Sequence, residues 1–509
     1  MRKFFVLALM FSVASVSAQI NWNASQITIT TEAQLRELAS RVNNGNSFAG
    51  QTLTLGGHIN LNGSAQNQWI PIGSAEELCY SDDWCQIMIS NAFSGIFDGA
   101  NHTISGLYIN SDNLLGVGLF GAIEGGTVKN LNLAGVNIVG FGDMIGGLAG
   151  LLSAKGLYYE DPDMDFVSDN PGKIINCSVT GRIEANGYHI GGLTGMSAFS
   201  TVENSRVDIN FEGYGSYVGG LAGYVFGGVI RNSYAAGSVS DGSRHIGGLV
   251  GELVLGTVEN CRANVNVSGN TGVGGLAGVL DEGIIKNSHA AGTVSGREDV
   301  GGLAGSSSYG EIINSYALAT LQSGDYEYVS FSSFGALVGR NDGIVRQSFA
   351  LEGTADNFIG EGEGTVVNSS FKTEAQLRLN STFGDWDFTA VWGISADRNY
   401  GFPFLLALSD AYIHLSVLRD FVSGGRRNAS TASFAGIRGG QISLNLSAGN
   451  YTAELYNMQG RLISSVNISA INGINATGLR TDSLARGIFI LNVKQSGVPV
   501  LKQRIGITR

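Results

Sequence analysis

Few residues in this chain have types and spacing that suggest chemistry. Within "YYEDPDMDFVSDN" (158–170), Asp161, Asp163, Asp165 and Asp169 repeat the 1, 3, 5, 9 spacing of a calcium loop, whose carboxylates converge on a hard cation. Phe166 stands where such a loop needs glycine, and Gly172 where it needs a bidentate glutamate, so a solvated acidic loop is the competing reading. Ca2+ is the only cofactor the sequence suggests. Tyr158 and Tyr159 beside the acids offer ring faces to a sugar, or ordinary loop packing.

A second set is periodic. Tyr234, Arg262, His289 and Tyr316 each follow an Asn by two residues, and Phe349 continues the series. A regular strand stack would align them about 4.8 Å apart. Facing solvent, the column is a platform for a glycan; facing inward, it is an internal ladder. The sequence favours the ladder, because Asn and its i+2 neighbour share a face and stacked Asn side chains satisfy one another. Cys177 and Cys261 share a column three coils apart, roughly 14 Å, so both are expected to be free and buried. Cys79 and Cys85 bracket "CYSDDWC", a closure compatible with a disulfide in an oxidising compartment, against two free thiols. His189 and His245 share a column with Tyr217 between them, about 10 Å apart and too far for one metal.

Signatures of catalysis are thin. None of the six histidines (58, 102, 189, 245, 289, 414) lies in an H-E-x-x-H arrangement. Two matches to G-x-G-x-x-G/A, at Gly116-Gly118-Gly121 and Gly272-Gly274-Ala277, precede no helical pattern, and there is no P-loop. Charged residues between the repeat markers are single and scattered. Exported β-solenoids do include polysaccharide lyases and hydrolases built on convergent acids and bases, so a carbohydrate-active enzyme is the alternative to a non-catalytic role.

The elements that must position these residues are repeats. "VGGLAG" occurs at 218–223, 273–278 and 300–305, with relatives at 145–150, 190–195 and 246–251. The Leu of each falls at 148, 193, 221, 249, 276 and 303, and the extra length between the first two holds the acidic insertion. Asn176, Asn204, Asn232, Asn260, Asn287 and Asn314 keep the same step. With 75 Gly, 5 Pro and β-branched runs such as "VIRNSYAAGSVS" (229–240), each unit reads as strand, turn, strand. A period near 28 suits an all-β, parallel β-solenoid of about eight coils, with glycine taking positive φ at the corners. Strict alternation puts Val218 and Leu221 on opposite faces, which requires a bulge at Gly219-Gly220 or a second layer.

Five segments surround or continue the repeats. Residues 1–18 carry Arg2, Lys3, an apolar run from Phe4 to Val13 and a small-residue end, the layout of a secretory signal peptide. Residues 19–110 read as N-terminal cap and first coils, 111–371 as the repeat solenoid and 372–410 as C-terminal cap; "TEAQLR" opens both flanks, at 31–36 and 373–378. Residues 411–435 read as a linker, and 436–509 alternate apolar and polar residues as a small antiparallel β-sandwich does. Residues 410–509 hold 11 Lys/Arg against 4 Asp/Glu, while the chain as a whole is at −12. The acidic bulk argues against nucleic acid, and no later segment suits a membrane helix.

"GGLAG" followed about ten residues later by V-x-N-S resembles the GLUG repeat of bacterial surface proteins, some of which accompany immunoglobulin-degrading metallopeptidases; the likeness covers roughly 93–371. Tyr456-Asn457-Met458-Gln459-Gly460-Arg461 and Leu484-Ala485-Arg486-Gly487-Ile488-Phe489 resemble the type A C-terminal sorting domain of the type IX secretion system, with Phe489 where tyrosine is usual. The resemblance implies outer-membrane secretion machinery as a partner and an extracellular or cell-surface location. The expected role is non-catalytic adhesion or binding of polysaccharide or another surface; the alternatives are a carbohydrate-active enzyme and a structural stalk without a binding surface.

Overall fold

The structure is a computed structural model that describes residues 20–81, 84–112, 115–156, 170–241, 243–323, 332–396 and 398–408, and the tail strands between 432 and 507. The chain divides into two compact units, residues 1–229 and 230–509.

The first unit opens with strand Gln26–Ile29 and helix α1, Glu32–Asn43. Thr31 accepts the Gln34 N–H while the Gln34 side chain returns to the Thr31 N–H, a capping box that starts the helix at "TEAQ". Leu35, Leu38, Ala39 and Val42, three or four apart, form its buried stripe. Parallel strands then stack in order: Gln26–Ile29, Thr52–Leu55, Ile96–Asp98, Thr127–Lys129, Lys173–Ile175 and Thr201–Glu203. The long strands Asn132–Phe141, Ser178–Gly191 and Arg206–Gly219 stack in the other sheet. Val179, Ile183, Val207, Ile209 and Phe211, at alternate positions, are buried. This is the parallel β-solenoid the period predicts, with helix α1 added to the strands among the described residues of the unit.

The second unit repeats the plan. Val250–Val254, Ala277–Asp281, Ala304–Ile313 and Val338–Arg346 pair in parallel. In its other sheet run Tyr234–Asp241, Arg262–Ser268, His289–Ala291, Tyr316–Ala317, Phe349–Leu351 and Ser370–Lys372. Helix α2, Glu374–Leu377, comes next with the same capping box, from Thr373 and Gln376. The tail holds one antiparallel sheet of Ala432–Arg438, Gln441–Leu446 and Gly473–Arg480. A second contains Leu462–Ala470, Gly449–Tyr456, Gly487–Gln495 and Val498–Ile507. Strand Ala432–Arg438 begins inside the segment read as linker.

The hexapeptide is where the chain crosses from one sheet to the other. A strand ends on its first glycine and the next begins after its leucine, as in Arg206–Gly219 and Ala222–Phe226. Val218 and Leu221 are therefore both buried, and neither a bulge nor a second layer is needed. The glycines serve close backbone approach. A Cβ on Gly274 would lie 1.9 Å from Ala277 O, on Gly275 2.2 Å from Gly302 O, and on Gly278 2.5 Å from Ile246 N. Glycine takes positive φ at some corners, including Gly227 and Gly272, but Asn176, Asn204, Asn260, Asn287 and Asn314 take it at others. Asn tolerates the left-handed region better than other residues with a side chain.

The Asn–Ser pair is a coil fastener. Asn side chains link at the corner, Asn176 Nδ2 donating to Asn130 Oδ1 (2.8 Å) and Asn260 Nδ2 to Asn232 Oδ1 (3.2 Å). These side chains are exposed or half-buried, which corrects the expectation of an interior Asn ladder. The buried partner is the serine: Ser288 Oγ donates to Lys286 O (2.8 Å) and accepts the Cys261 N–H from the preceding coil (3.0 Å). Ser315 and Ser348 accept the Ser288 and Ser315 N–H groups in turn, each at 3.1 Å. Cys177 and Cys261 stand where serine would, free and buried, and Cys261 Sγ reaches Glu259 O at 3.2 Å. Burial pushes both thiols up to about 12.

Candidate functional site

Asp161, Asp163, Asp165, Asp169, Tyr158 and Tyr159 lie outside the described residues. Strands Ser74–Ser81 and Trp84–Asn91 pair antiparallel with Cys79 opposite Cys85, while the side chains of both lie outside the description. His189 and His245 fall in different units; His245 Nδ1 sits 2.8 Å from Glu252 Oε2. Among the described residues, no helix is long and apolar enough to cross a membrane.

The periodic column is real in register: Tyr234 pairs with Arg262, Arg262 with His289, His289 with Tyr316, and Tyr316 with Phe349. Its placement differs from both expectations. The neighbouring residues Ala263, Ala290 and Ala317 point to the coil interior, where their Cβ atoms lie 3.1, 2.9 and 3.0 Å from a Cβ built on Gly248, Gly275 and Gly302. Alternation therefore sends the column outward. It is nevertheless buried, with Arg262 at 3%, His289 at 1% and Tyr316 at 0% exposure; Tyr234 is half-buried.

The roof is the segment after helix α2. His289 stacks on Tyr316 (4.7 Å, 10°), and Trp392 lies 6.2 Å from His289 and 5.8 Å from Tyr316. Trp386 stacks on Trp392 at 4.7 Å and meets Phe349 at 5.9 Å. Tyr316 O–H donates to Pro403 O and accepts from Asn399 Nδ2 at 2.9 Å. Burial, then the Arg262 cation, holds the His289 imidazole well below its ordinary value. Arg262, His289 and Tyr316 thus present no stacking face to a glycan: the column seats the C-terminal cap.

An aromatic cluster not assigned from sequence lies in the first unit, at the corner before the hexapeptide. His189 stacks on Tyr217 (5.1 Å, 19°) and meets Tyr224 edge-on at 5.1 Å. Tyr188 lies 6.2 Å from Tyr217 and is 49% exposed. His189 and Tyr217 both adopt positive φ, which turns their side chains out of the strand alternation. Burial pushes His189 down to about 4, so its ring is neutral at pH 7. Asp143 Oδ1 accepts the Tyr188 N–H at 2.7 Å; burial raises this carboxyl, and the hydrogen bond pulls it back. The available signal was the clustering of Tyr and His at the residues preceding "IGGLTG" and "VGGLAG".

Residues 214–240, 242–268 and 269–295 match the GLUG motif, and residues 439–507 match the secretion system C-terminal sorting domain. The chain is an exported repeat protein with GLUG coils and a type IX sorting tail. Among solved structures it is similar to a Bacteroides ovatus chain provisionally named an immunoglobulin A1 protease, at 20% identity, covering 75% of this chain and 92% of that one, TM-score 0.40. It is also similar to a chain named IgA1 Protease, at 18% identity and TM-score 0.34, covering 62% of this chain and 21% of that one. No curated protein matches the sequence.

Proposed function

We propose that this protein is displayed at the cell surface as a non-catalytic binder of polysaccharide or another surface. The observation that carries the reading is the division of labour along the chain: a sorting tail follows coils whose glycines, serines and buried column are engaged in holding the coils together, while rings at the coil corner face outward. A rigid stack of this kind fixes outward side chains at the coil spacing, which suits an extended ligand. The test is incubation of the secreted protein with polysaccharides, with and without calcium, followed by assays of retention and of released reducing or unsaturated ends. Retention without product is expected, and product release would make the protein an enzyme. Loss of retention on chelation would assign a role to Asp161–Asp169.

A further inference from the structure

We infer that the outer surface formed by Phe141, Asn186, Tyr188 and Tyr214 is a binding site for a neutral polysaccharide chain. This rests on the proposed binding role and names its site and ligand class.

Phe141, Asn186 and Tyr214 occupy one register on three successive strands, Phe141 opposite Asn186 and Asn186 opposite Tyr214. The two rings are therefore two strand spacings apart, about 9.6 Å. Tyr188 lies two residues beyond Asn186, opposite Ser216 and on the same face. All three rings are open, Tyr214 at 74%, Phe141 at 57% and Tyr188 at 49% exposure. Such exposure of large rings grouped on one face marks a ligand surface rather than scattered surface apolarity. Gly213 and Gly215 flank Tyr214, while Tyr188 leans on His189 and Tyr217 and keeps its remaining surface open.

Between the rings lies hydrogen-bonding capacity. Asn186 Oδ1 accepts the Tyr214 N–H at 2.7 Å, which fixes the amide and leaves its donors beside the ring. A pyranose needs this combination, an apolar face for the ring and donors or acceptors for its edge. Charge selects among glycans. Asp112 lies opposite Phe141, and Asp143, Glu184 and Glu212 border the same face. The nearby cation, Arg182, is engaged by both Glu184 and Glu212. The surface is net acidic and opposes uronate or sulfate groups, so the ligand is a neutral chain.

The test uses the full secreted chain in affinity electrophoresis through gels containing β-glucan, xylan or mannan, with polygalacturonate as the anionic probe. Tyr188→Ala and Tyr214→Ala are made singly and together. The rings are exposed, so the variants should keep the wild-type melting temperature. We expect retardation by a neutral polymer, weakened roughly three- to tenfold by each substitution. Nitration of Tyr188 and Tyr214, followed by peptide mass mapping, should be suppressed by the same polymer. If the double variant binds as wild type does and nitration is unprotected, this site is overturned and the broader binding role stands. If the wild type binds none of the neutral polymers, or only polygalacturonate, the ligand assignment is overturned; capture of a protein partner alone would overturn it too.

Discussion

At the residue scale, one hexapeptide recurs because three of its positions have no room for a side chain. Gly275 shows the constraint most simply: a Cβ there would meet Gly302 O at 2.2 Å and the Ala290 methyl at 2.9 Å. Glycine at Gly57, by contrast, meets nothing within 4 Å. Gly275→Ala should therefore cost about 1–3 kcal/mol, while Gly57→Ala should stay within about 0.5 kcal/mol, both read from urea unfolding midpoints. Equal effects would mean the glycines act through chain flexibility instead. The period and its positions were legible in the sequence, but the reason for glycine was not. Positive φ at a corner and a close backbone approach call for the same residue, and only coordinates separate them.

At the element scale, the capping boxes at Thr31–Gln34 and Thr373–Gln376 explain why "TEAQLR" recurs on both flanks: each begins a helix. The roof beyond helix α2 was not legible. The Tyr316–Pro403 hydrogen bond joins residues 87 apart, and no periodicity links Trp386 or Trp392 to the column they cover. A column of Tyr, Arg, His and Tyr looks the same in sequence whether it meets sugar, solvent or a tryptophan. The cap should carry much of the second unit's stability. Trp392 is fully buried against His289, Tyr316 and Trp386, so Trp392→Ala should cost about 3–5 kcal/mol. Near-UV circular dichroism during denaturation would show it, and an unchanged midpoint would mean the roof is dispensable.

At the scale of the whole molecule, the partition of charge into an acidic repeat region and a basic tail already separated the parts, and alternation in the tail already indicated its antiparallel strands. The same scale governs the response to acid. His189 in the first unit and His289 in the second are both buried in the neutral form, whereas an unfolded chain protonates histidine near 6.5. Below that pH the unfolded state binds the extra protons, so this contribution is complete above pH 6.5 and is lost as pH falls towards about 4. For His189 the full loss amounts to about 3 kcal/mol. Asp143, Asp281 and Asp299 have raised carboxyls and act in the opposite sense, because the folded state takes up their protons first. Their effect begins nearer the ordinary carboxylate range, so histidine dominates the upper part of the window. His289→Phe keeps an aromatic ring beside Tyr316, in the column that Phe349 continues one coil beyond Tyr316, and removes the titrating group. Melting temperature followed from pH 7 to 5 should fall less steeply in His289→Phe than in the wild type; parallel slopes would show that the buried imidazole does not set the acid response.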